Sequence, residues 1–546
     1  MPSMRLDVIQ ERLGLVAEMQ ASPSLRQNLV SLLRHTFDSM RLVQKFAFGR
    51  GDADDLLGLS RTIQVTAQIA GLFTERFLSS GVAQVAQEQL HAPCIQALLN
   101  RLNLSGPMKL SNRISEVIDE VGLSEQHRME ESEAAALVDL AEEVLNEEAA
   151  GEKLKGVPKA LKSRGAANGN GSKDIEQHED IWIMRRSASA TLTKLHDRLE
   201  SLKNEKTALA ASLRERLGAV SLTLRWTPGL GHICHTKGKD THALLAELPA
   251  ARSVSSSKST RSFHLPEWTH LGIRIDEAKL RIRAEEQRLF GELRAQVVRN
   301  LVKLRRNAAV LDELDVACSF ATLAEEQGFI RPILNMGTNF AIVGGRHPMV
   351  QVGLTEQGRK FTSNDCTFND DERILLITGP NMAGKSTFLR QNALISVLAQ
   401  TGSFVPAEYA EIGLVDKIFS RVGSADNLYE DQSTFMVEML ETAEILKQAT
   451  HRSFVVMDEV GRGTTPEDGI AVGYACLYHL HNVNKCRALF ATHFHALADM
   501  TKGLDKLARY CTDVAEEEDG SFSYVHRLRK GVNRQSHALK VARLAG

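Results

Sequence analysis

The sequence has few of the features that mark membrane, secreted or disulfide-rich proteins. No uninterrupted apolar run reaches the roughly 18 residues that a membrane-spanning helix needs, so none is predicted. The opening residues, MPSMRLDVIQERLG, lack the apolar core of a secretory signal, and their acidic residues argue against a transit peptide. The seven cysteines are scattered without a C-x-x-C pair, which favours reduced thiols in an intracellular protein.

The chain also lacks the excess of positive charge that is typical of general nucleic-acid binders. Its 66 Lys and Arg residues face 68 Asp and Glu residues, a formal net charge of −2. Any contact with DNA must therefore be local. With 546 residues, the chain is long enough for roughly two to four domains with large buried cores.

A glycine-rich segment in the second half of the chain predicts a nucleotide-binding loop. GPNMAGKS (379–386) fits G-x-x-x-x-G-K-[ST], between an apolar run typical of a buried strand (374–377) and a predicted helix (387–398). The glycines let backbone N–H groups turn toward phosphates, and the helix N-terminus adds partial positive charge. Lys385 is predicted to neutralise the β- and γ-phosphates, and the Ser386 hydroxyl to bind Mg²⁺.

Two further apolar segments end in residues suited to ATP hydrolysis. SFVVMDEVGRGTT ends its apolar run at Asp458, predicted to hold the Mg²⁺ shell, and Glu459, predicted to orient or deprotonate the attacking water. CRALFATHFH delivers His493 at a strand end, where an imidazole can sense the γ-phosphate. An acidic pair capping a strand and a packed histidine are the structural alternatives, but the three segments together favour a catalytic site.

Residues 1–330 have the apolar spacing of helices. Over Glu285–Gln327 this spacing predicts one helical rod on the order of 60 Å, which suits a coiled-coil partner, a bundle helix or a lever. Residues 151–180 are rich in Gly, Asn, Ser and Lys without apolar periodicity, and they predict a flexible insertion.

Residues 218–271 lose the helical period and predict a small β-rich module between helices Leu192–Leu217 and Asp276–Leu323. Its basic residues suit the phosphate backbone of DNA, and an ordinary solvated surface explains the charge equally well. These basic residues are Arg225, Lys237, Lys239, Arg252, Lys258 and Arg261. His232, Cys234 and His235 also lie together, but no second ligand pair at a matching distance supports a zinc site.

Residues 331–546 alternate apolar strands with helices, which predicts an α/β domain. Several of its segments resemble, in order, the MutS family of DNA mismatch-repair ATPases. These segments are TGPNMAGKST, RVGSADN with STFMVEMLETAEIL, MDEVGRGTT, DGIAVGYA and FATHFHAL. GRHPMV upstream and GVNRQSHALKVARLAG at the end extend the resemblance, and residues 5–50 resemble the start of the family's lever domain.

The resemblance implies a mostly helical lever domain with an inserted β-rich DNA clamp, followed by an α/β P-loop ATPase domain of the ABC type. The predicted domains are a first lever part at 1–204, the clamp at 205–271, further lever helices at 272–330 and the ATPase domain at 331–546. The resemblance further implies a dimeric enzyme that uses ATP and Mg²⁺.

Roles for individual residues follow from the resemblance. Phe361 matches the position whose ring stacks on adenine, and His526 in SYVHRL matches another nucleotide-site histidine. Ser433 would act on the nucleotide of the second subunit, while Asp458, Glu459 and His493 complete catalysis. The implied nucleotide-binding set is Phe361, Gly379, Pro380, Asn381, Met382, Ala383, Gly384, Lys385, Ser386, Thr387 and His526.

The chain departs from the family pattern in two ways. Asp431 stands where the family has glycine, two places before Ser433, and a carboxylate there would repel a γ-phosphate unless it points away. The family's mismatch-reading domain, with its Phe-x-Glu wedge, precedes the lever, whereas this chain begins within the lever and stops before the family's C-terminal dimerisation helices. Phe73-Thr74-Glu75 lies in a helical stretch and is not predicted to be a wedge. The chain therefore resembles a truncated member with impaired mismatch reading.

The expected function is ATP-dependent binding of mismatched DNA by a dimeric clamp. The expected partners are double-stranded DNA, the same chain or another MutS-type subunit, and a MutL-type protein. The alternative is a MutS-like clamp for branched recombination intermediates of the meiotic type. An ABC ATPase outside the family is disfavoured because the sequence has no L-S-G-G-Q signature and no membrane segment. The expected compartment is the cytoplasm of a bacterium, or the mitochondrion or nucleus of a eukaryote.

Overall fold

The chain forms two compact units. A computed structural model describes residues 1–79, 92–149, 181–241, 251–256, 259–380, 383–421, 434–516 and 522–533. Unit 1 is drawn from Met1–Arg34, Glu75–Asn100 and Val310–Gly546, and unit 2 from His35–Thr74 and Arg101–Ala309. Within these described residues no helix is both long and apolar enough to cross a membrane. The predicted insertion at 151–180 lies outside the described residues.

Helices dominate the structure, and several sheets accompany them. The helices are α1 (Leu6–Ala21), α2 (Pro23–Leu33), α3 (Ser39–Ala47), α4 (Ala53–Ser79), α5 (Ala92–Leu99), α6 (Pro107–Val117), α7 (Glu120–Ala149), α8 (Ala190–Leu217), α9 (Pro266–Arg299), α10 (Leu301–Gln327), α11 (Pro348–Glu356), α12 (Lys385–Thr401), α13 (Thr434–Gln448), α14 (Pro466–His479) and α15 (His495–Met500). The strands are β1 (Thr223–Thr227), β2 (Gly231–Lys237), β3 (Arg252–Ser256), β4 (Thr260–His264), β5 (Ile333–Asn335), β6 (Phe340–Gly345), β7 (Asn364–Phe368), β8 (Ile374–Thr378), β9 (Tyr409–Gly413), β10 (Ile418–Arg421), β11 (Phe454–Asp458), β12 (Arg487–Thr492), β13 (Leu507–Glu516) and β14 (Phe522–Lys530).

Unit 2 is built around the long helices α8 and α9. The Ser189 side chain caps α8 by accepting a hydrogen bond from the Leu192 amide at 3.0 Å, and Gly218 ends the helix with a left-handed φ of 59°. Buried leucines and isoleucines recur along both helices and form one apolar core with α3, α4 and α6. The predicted helix Leu192–Leu217 is thereby confirmed, with its start two residues earlier.

The predicted rod over Glu285–Gln327 is wrong in one respect, because the helix is divided at Asn300. The Asn300 side-chain amide donates to the Gln296 carbonyl at 2.9 Å, and its backbone leaves the helical region at ψ 3°. Asparagine side chains compete in this way with the backbone hydrogen bonds of a helix. The first of the two helices also begins ten residues before the predicted Asp276, with Pro266 in its first turn, where proline is tolerated.

A four-stranded antiparallel sheet, ordered β1-β2-β4-β3, lies between α8 and α9 in the sequence. Leu224, Cys234 and Phe263 are neighbours in register, and all three are buried in the core of unit 2. The β-rich module predicted between these helices is confirmed. Its opposite face carries the basic residues Arg225, Lys237 and Arg252 together with the buried Ile233.

Unit 1 contains a six-stranded sheet in the order β10-β11-β12-β8-β13-β14. The first five strands are parallel, and β14 is antiparallel to β13. Every residue of β8, β11 and β12 is buried, as expected for parallel strands covered on both faces. The predicted strand and helix around the glycine-rich loop are confirmed as β8 and α12.

A carboxylate joins two loops at the amino edge of this sheet. Asp416 precedes β10, and it accepts hydrogen bonds from the Thr450 hydroxyl at 2.6 Å and the Ser453 hydroxyl at 2.8 Å. Burial alone would raise the pKa of Asp416, but these hydrogen bonds hold it below its ordinary value. A second, four-stranded sheet of unit 1 has the order β5-β9-β6-β7.

Candidate nucleotide site

Three neighbouring parallel strands end at the same edge of the six-stranded sheet. Thr378 at the end of β8 is in register with Thr492 at the end of β12, and Asp458 at the end of β11 is in register with Ala491. The glycine-rich loop, His493 and Glu459 each follow directly on one of these strands. Open α/β sheets bind ligands at the carboxyl ends of their strands. The register therefore brings the three predicted catalytic segments together.

Two glycines of the loop adopt backbone conformations that side chains rarely permit. Gly379 has a φ of 147°, and a Cβ there would lie 2.2 Å from the Thr512 hydroxyl oxygen on β13. Gly384 has a φ of 88° and immediately precedes α12. Glycine is thus required at both positions by close approach and by conformation. Asn381 and Met382, between them, lie outside the described residues.

Lys385 is held inside the loop that precedes it. Its Nζ donates hydrogen bonds to the carbonyl oxygens of Gly379 and Pro380, each at 2.9 Å, and the residue is only 5% exposed. Burial lowers the pKa of Lys385, and the nearby carboxylates of Glu459 and Asp458 act in the opposite direction. The ammonium group is therefore fixed at the mouth of α12 beside two acidic side chains.

Asp458 and Ser386 form a pair of oxygen ligands next to this lysine. The Asp458 carboxylate hydrogen-bonds to the Ser386 side chain, and its Oδ1 is buried without a hydrogen-bond partner. Burial raises the pKa of Asp458, because the charged form is desolvated. An orphaned carboxylate oxygen beside a hydroxyl fits a hard divalent cation such as Mg²⁺.

The number of protein ligands at this position also suits Mg²⁺. Among the residues that the structure describes, no three His, Cys, Asp or Glu side chains gather in a way that could hold a metal ion. Mg²⁺ keeps several waters and is commonly bound by one or two protein oxygens together with substrate phosphates. The pair of Asp458 and Ser386 meets that requirement without a complete protein cage.

Glu459 is clamped by two basic side chains. His493 Nε2 hydrogen-bonds to its Oε1, and Arg462 Nη1 donates to its Oε2 at 2.6 Å. The bond from His493, followed by the charges of His493, Arg462 and Lys385, overcomes burial and lowers the pKa of Glu459 to about 2. Glu459 also has a φ of 56°, a strained conformation that recurs at functional sites. The carboxylate is therefore ionised, and each of its two oxygens is held in place by one basic side chain.

A cavity of about 300 Å³ opens beside Glu459 and its two basic partners. The residues that line it are Glu459, Arg462, Thr464, Pro466, Thr492, His493 and Phe494. Arg462 was not singled out from the sequence, although it lies three residues after Glu459 in the segment VGRGTT. The spacing of these residues in the sequence does not predict that the Arg462 side chain bonds to the Glu459 carboxylate.

His526 lies against the same loop from strand β14. A Cβ placed on Gly384 would be 3.2 Å from its Nδ1, and its own φ is 54°. Phe361 is half-buried three residues before β7 begins. Ala383 is buried at the end of the loop, and Thr387 is half-buried in the first turn of α12.

The helix that follows the predicted trans-acting loop is tied to the Glu459 segment. Residues 422–433, with Asp431 and Ser433, lie outside the described residues, and α13 begins at Thr434. Glu438 on α13 is 4% exposed, and one of its oxygens accepts a hydrogen bond from the Gly461 amide at 2.5 Å. Its other oxygen lies 3.5 Å from the guanidinium of the buried Arg421. Glu438 thus connects α13 to the loop that carries Glu459 and Arg462.

The sheet of unit 2 brings three of the predicted DNA-binding residues to one face. The register of the strands places three basic residues on the same face of the sheet as His235, opposite the face that carries Leu224, Cys234 and Phe263. These residues are Arg225, Lys237 and Arg252. Burial lowers the pKa of His235, and the charges of Arg225 and Lys237 lower it further. Arg261 lies on the other face of the sheet, since it is two residues before the buried Phe263 on the same strand. Lys258 and the side chain of Lys239 lie outside the described residues.

The histidines and the cysteine of β2 do not converge on one point. His232 and Cys234 point to the core face, whereas His235 points to the other face and hydrogen-bonds to Ser262. His232 Nε2 lies 2.8 Å from Asp276, and burial raises the pKa of Cys234 to about 12. Phe73, the aromatic residue of the F-x-E sequence, is wholly buried in α4 and cannot insert into a DNA duplex.

Two protein-family models match the chain, and both describe domains of the same family. The model for MutS domain III matches residues 1–321, and the model for MutS domain V matches residues 375–546. The first match alone covers more than half of the 546 residues. The chain belongs to the MutS family.

Individual relatives agree with this assignment. A protein of Rickettsia massiliae named DNA mismatch repair protein MutS is 32% identical over 545 residues, which is 100% of this chain and 54% of the relative. Proteins of the same name from Azorhizobium caulinodans and Zymomonas mobilis subsp. mobilis are 44% and 41% identical, over 64% of this chain each and 39% and 41% of the relatives. The chain spans about half or less of the length of these relatives.

Proposed function

We propose that this chain is an ATP-hydrolysing mismatch-repair protein of the MutS type, which binds DNA as a dimeric clamp. The observation that carries the proposal is the meeting of Lys385, the Ser386–Asp458 pair and the Glu459–His493 pair at the ends of three adjacent strands. Each of these groups has a separate task in phosphoryl transfer. The relatives are named for mismatch repair, which favours this function over the processing of branched recombination intermediates.

The loop and α12 supply the triphosphate site. In the presence of ATP, Lys385 would exchange its two carbonyl acceptors for β- and γ-phosphate oxygens, since a phosphate is the stronger acceptor for an ammonium group. The positive end of α12, which begins at Lys385, would attract the same oxygens. Phe361 and His526 are proposed to contact the adenine, with His526 placed beside Gly384.

Ser386 and Asp458 would hold the Mg²⁺ ion. When bound, the ion neutralises charge on the β- and γ-phosphate oxygens. The raised pKa of Asp458 is a cost of burying a carboxylate without a full set of partners, and a cation at its orphaned Oδ1 would remove that cost. Ser386 would turn its hydroxyl from the carboxylate toward the same cation.

Glu459 is better suited to orienting the attacking water than to removing a proton from it. A carboxylate with a pKa of about 2 is a weak base, but it is a permanent hydrogen-bond acceptor held in one direction by His493 and Arg462. Positioning of this kind contributes much of the rate in phosphoryl transfer. His493 lines the same cavity and is placed to respond when the γ-phosphate is present.

The partners and the DNA surface extend the proposal beyond the nucleotide site. The face with Arg225, Lys237 and Arg252 would grip the phosphate backbone, which needs positive charge but no base contacts. Ser433 would complete the ATP site of a second MutS-type subunit. A MutL-type partner and the cellular compartment remain predictions.

Mg²⁺-dependent ATP hydrolysis by the purified chain tests the proposal. Ser386→Ala should raise the Mg²⁺ concentration needed for half-maximal turnover, because one of the two protein oxygens is lost. Ser396→Ala is the matched control, because this serine is buried on the same helix and its hydroxyl donates to the Asn392 carbonyl. Equal Mg²⁺ requirements in the two variants would contradict the metal assignment.

DNA binding is tested by gel shift with homoduplex, a G·T mismatch and a four-way junction. The proposal predicts salt-sensitive binding of duplex DNA that is weakened by Arg225→Ala. A preference for the junction over both duplexes would favour the recombination alternative. A preference for the mismatched duplex over the homoduplex would support the mismatch-repair function.

A further inference from the structure

Strand β14 contains an irregularity at the point where it carries His526. Thr512 of β13 pairs with Leu528, but Val514, only two residues later, pairs with Tyr524, so the intervening part of β14 bulges. His526 lies in this bulge with a φ of 54°, a conformation that is uncommon for a side chain other than glycine or asparagine. Bulges redirect side chains at functional sites, and this one directs the imidazole to Gly384.

One buried side chain holds both ends of the bulge. The Asn364 side-chain amide donates a hydrogen bond to the His526 carbonyl at 2.9 Å, and its Oδ1 accepts one from the Leu528 amide at 2.8 Å. Asn364 is 7% exposed at the start of β7. An isosteric carboxylate or aliphatic side chain could not satisfy a carbonyl and an amide together.

The same asparagine is linked to the segment of Phe361. Its amide nitrogen also lies 3.4 Å from the carbonyl oxygen of Thr362, the residue after Phe361. Asn364 is therefore the point at which the chain before β7 and the bulge of β14 are joined. The hydrogen bonds of Lys385, in contrast, are made within the loop, to the carbonyl oxygens of Gly379 and Pro380, and involve neither Asn364 nor His526.

We propose that Asn364 is a positioning residue for the base of the nucleotide, acting through His526. The assignment rests on the proposed function, in which Phe361 and His526 contact the adenine while Lys385 and Ser386 bind the phosphates. Asn364 fixes the bulge that carries the imidazole, so it determines affinity for the base and leaves affinity for the phosphate chain unchanged.

The test compares ATP with inorganic tripolyphosphate, which has the phosphates but no base. Calorimetry with Mg²⁺ should show that Asn364→Ala weakens ATP binding about tenfold, because the bulge no longer holds the imidazole in place and a loss of that size is typical of one hydrogen bond to a ligand. Tripolyphosphate should bind equally to the variant and the unsubstituted chain. Asn364→Asp keeps the size and an acceptor oxygen but loses the donor, and it should show the same selective loss.

Asn484→Ala is the matched control for stability. Asn484 is likewise buried in unit 1; its amide donates to the Leu446 and Ala449 carbonyls at 2.9 Å each, and its Oδ1 lies 2.8 Å from His479 Nδ1. This variant should unfold at a lower temperature without changing the ratio of ATP to tripolyphosphate affinity. An equal change of that ratio in both variants would overturn the assignment.

A double-mutant cycle separates action through His526 from a direct effect. In a chain that already carries His526→Ala, Asn364→Ala should weaken ATP binding no further, because the group that it positions is gone. Additive losses, or an equal loss of ATP and tripolyphosphate in the single variant, would overturn the assignment. If the unsubstituted chain bound neither ligand, the proposed function itself would fail and this assignment with it.

Discussion

Replacing Glu459 by glutamine tests how the proposed site hydrolyses ATP. The substitution keeps the size of the side chain and one acceptor oxygen but removes the charge that His493 and Arg462 hold in place. It also removes a negative charge from the neighbourhood of the γ-phosphate. Hydrolysis should therefore be lost, while ATP binding is kept or strengthened.

The lowered pKa of Glu459 shows how strongly its basic neighbours stabilise the charge that the substitution removes. The pKa of Glu459 falls from 4.5 to about 2, and at about 1.4 kcal/mol per pKa unit the ionised carboxylate is favoured by roughly 3 kcal/mol. The bond from His493 is the largest cause, and the contribution of Arg462 is reduced because its side chain is 71% exposed and screened by solvent. For a group that positions or activates the attacking water, the turnover number should drop by roughly 10²–10⁴-fold.

The assay pairs steady-state ATP hydrolysis with equilibrium binding of ATP. Glu372→Gln is the control, since this glutamate also forms a close ion pair, 2.6 Å from Lys530, but precedes β8 at the opposite edge of the sheet. The control should hydrolyse ATP at the unsubstituted rate. Turnover by Glu459→Gln that matches the control would refute the catalytic role of Glu459.

Three further substitutions test the electrostatics of other regions. Asp416→Asn should flatten the loss of stability in acid measured by circular dichroism. The lowered pKa of Asp416 gives stability that is present above its ordinary pKa of 3.8 and is lost as the pH falls through the lower folded-state pKa. An unchanged acid profile would contradict this. Arg225→Ala should reduce the slope of the logarithm of DNA affinity against the logarithm of salt concentration by about 1. Arg261 lies on the other face of the sheet, so Arg261→Ala should change this slope less. Equal slopes for the two variants would count against the assigned face. Glu438→Ala removes the buried carboxylate beside Arg421 and the acceptor of the Gly461 amide, while Glu441 still lies 3.1 Å from the guanidinium, so the stability of unit 1 should fall by about 1–3 kcal/mol in a denaturant titration. An unshifted unfolding midpoint would show that the buried pair is dispensable.

Much of the nucleotide site could be predicted because its residues lie in short local segments. Glu459 and His493 come directly after two of the apolar segments, and an apolar run of four to six residues between turn signals is consistent with a buried strand. Parallel strands then place their carboxyl ends at one edge. The positions of Asp458 and His493 at strand ends, and of Lys385 at the start of the helix after β8, therefore followed from the sequence.

Contacts between distant segments could not be predicted in this way. The bond from Asn364 to the backbone around His526 joins residues 162 positions apart, and the bond from Glu438 to Gly461 joins residues on different elements. Neither has a local signature in the sequence. Arg462 shows the same limit at short range, since its orientation depends on the turn after β11 and not on its spacing from Glu459.

The division of the long helix at Asn300 shows a different limit. Apolar spacing continues across Asn300 with little change, so periodicity alone predicts one rod. At the break, the Asn300 side chain donates a hydrogen bond to the Gln296 carbonyl, a contact that periodicity does not record.

The most direct test of the account is the binding of ATP to the purified chain with and without Mg²⁺, compared with the Lys385→Ala variant. The account predicts one ATP per chain, tighter binding when Mg²⁺ is present, and loss of binding when the buried ammonium group is removed. ATP that bound equally well to both proteins, or to neither, would contradict the claim that these strand ends form a nucleotide site.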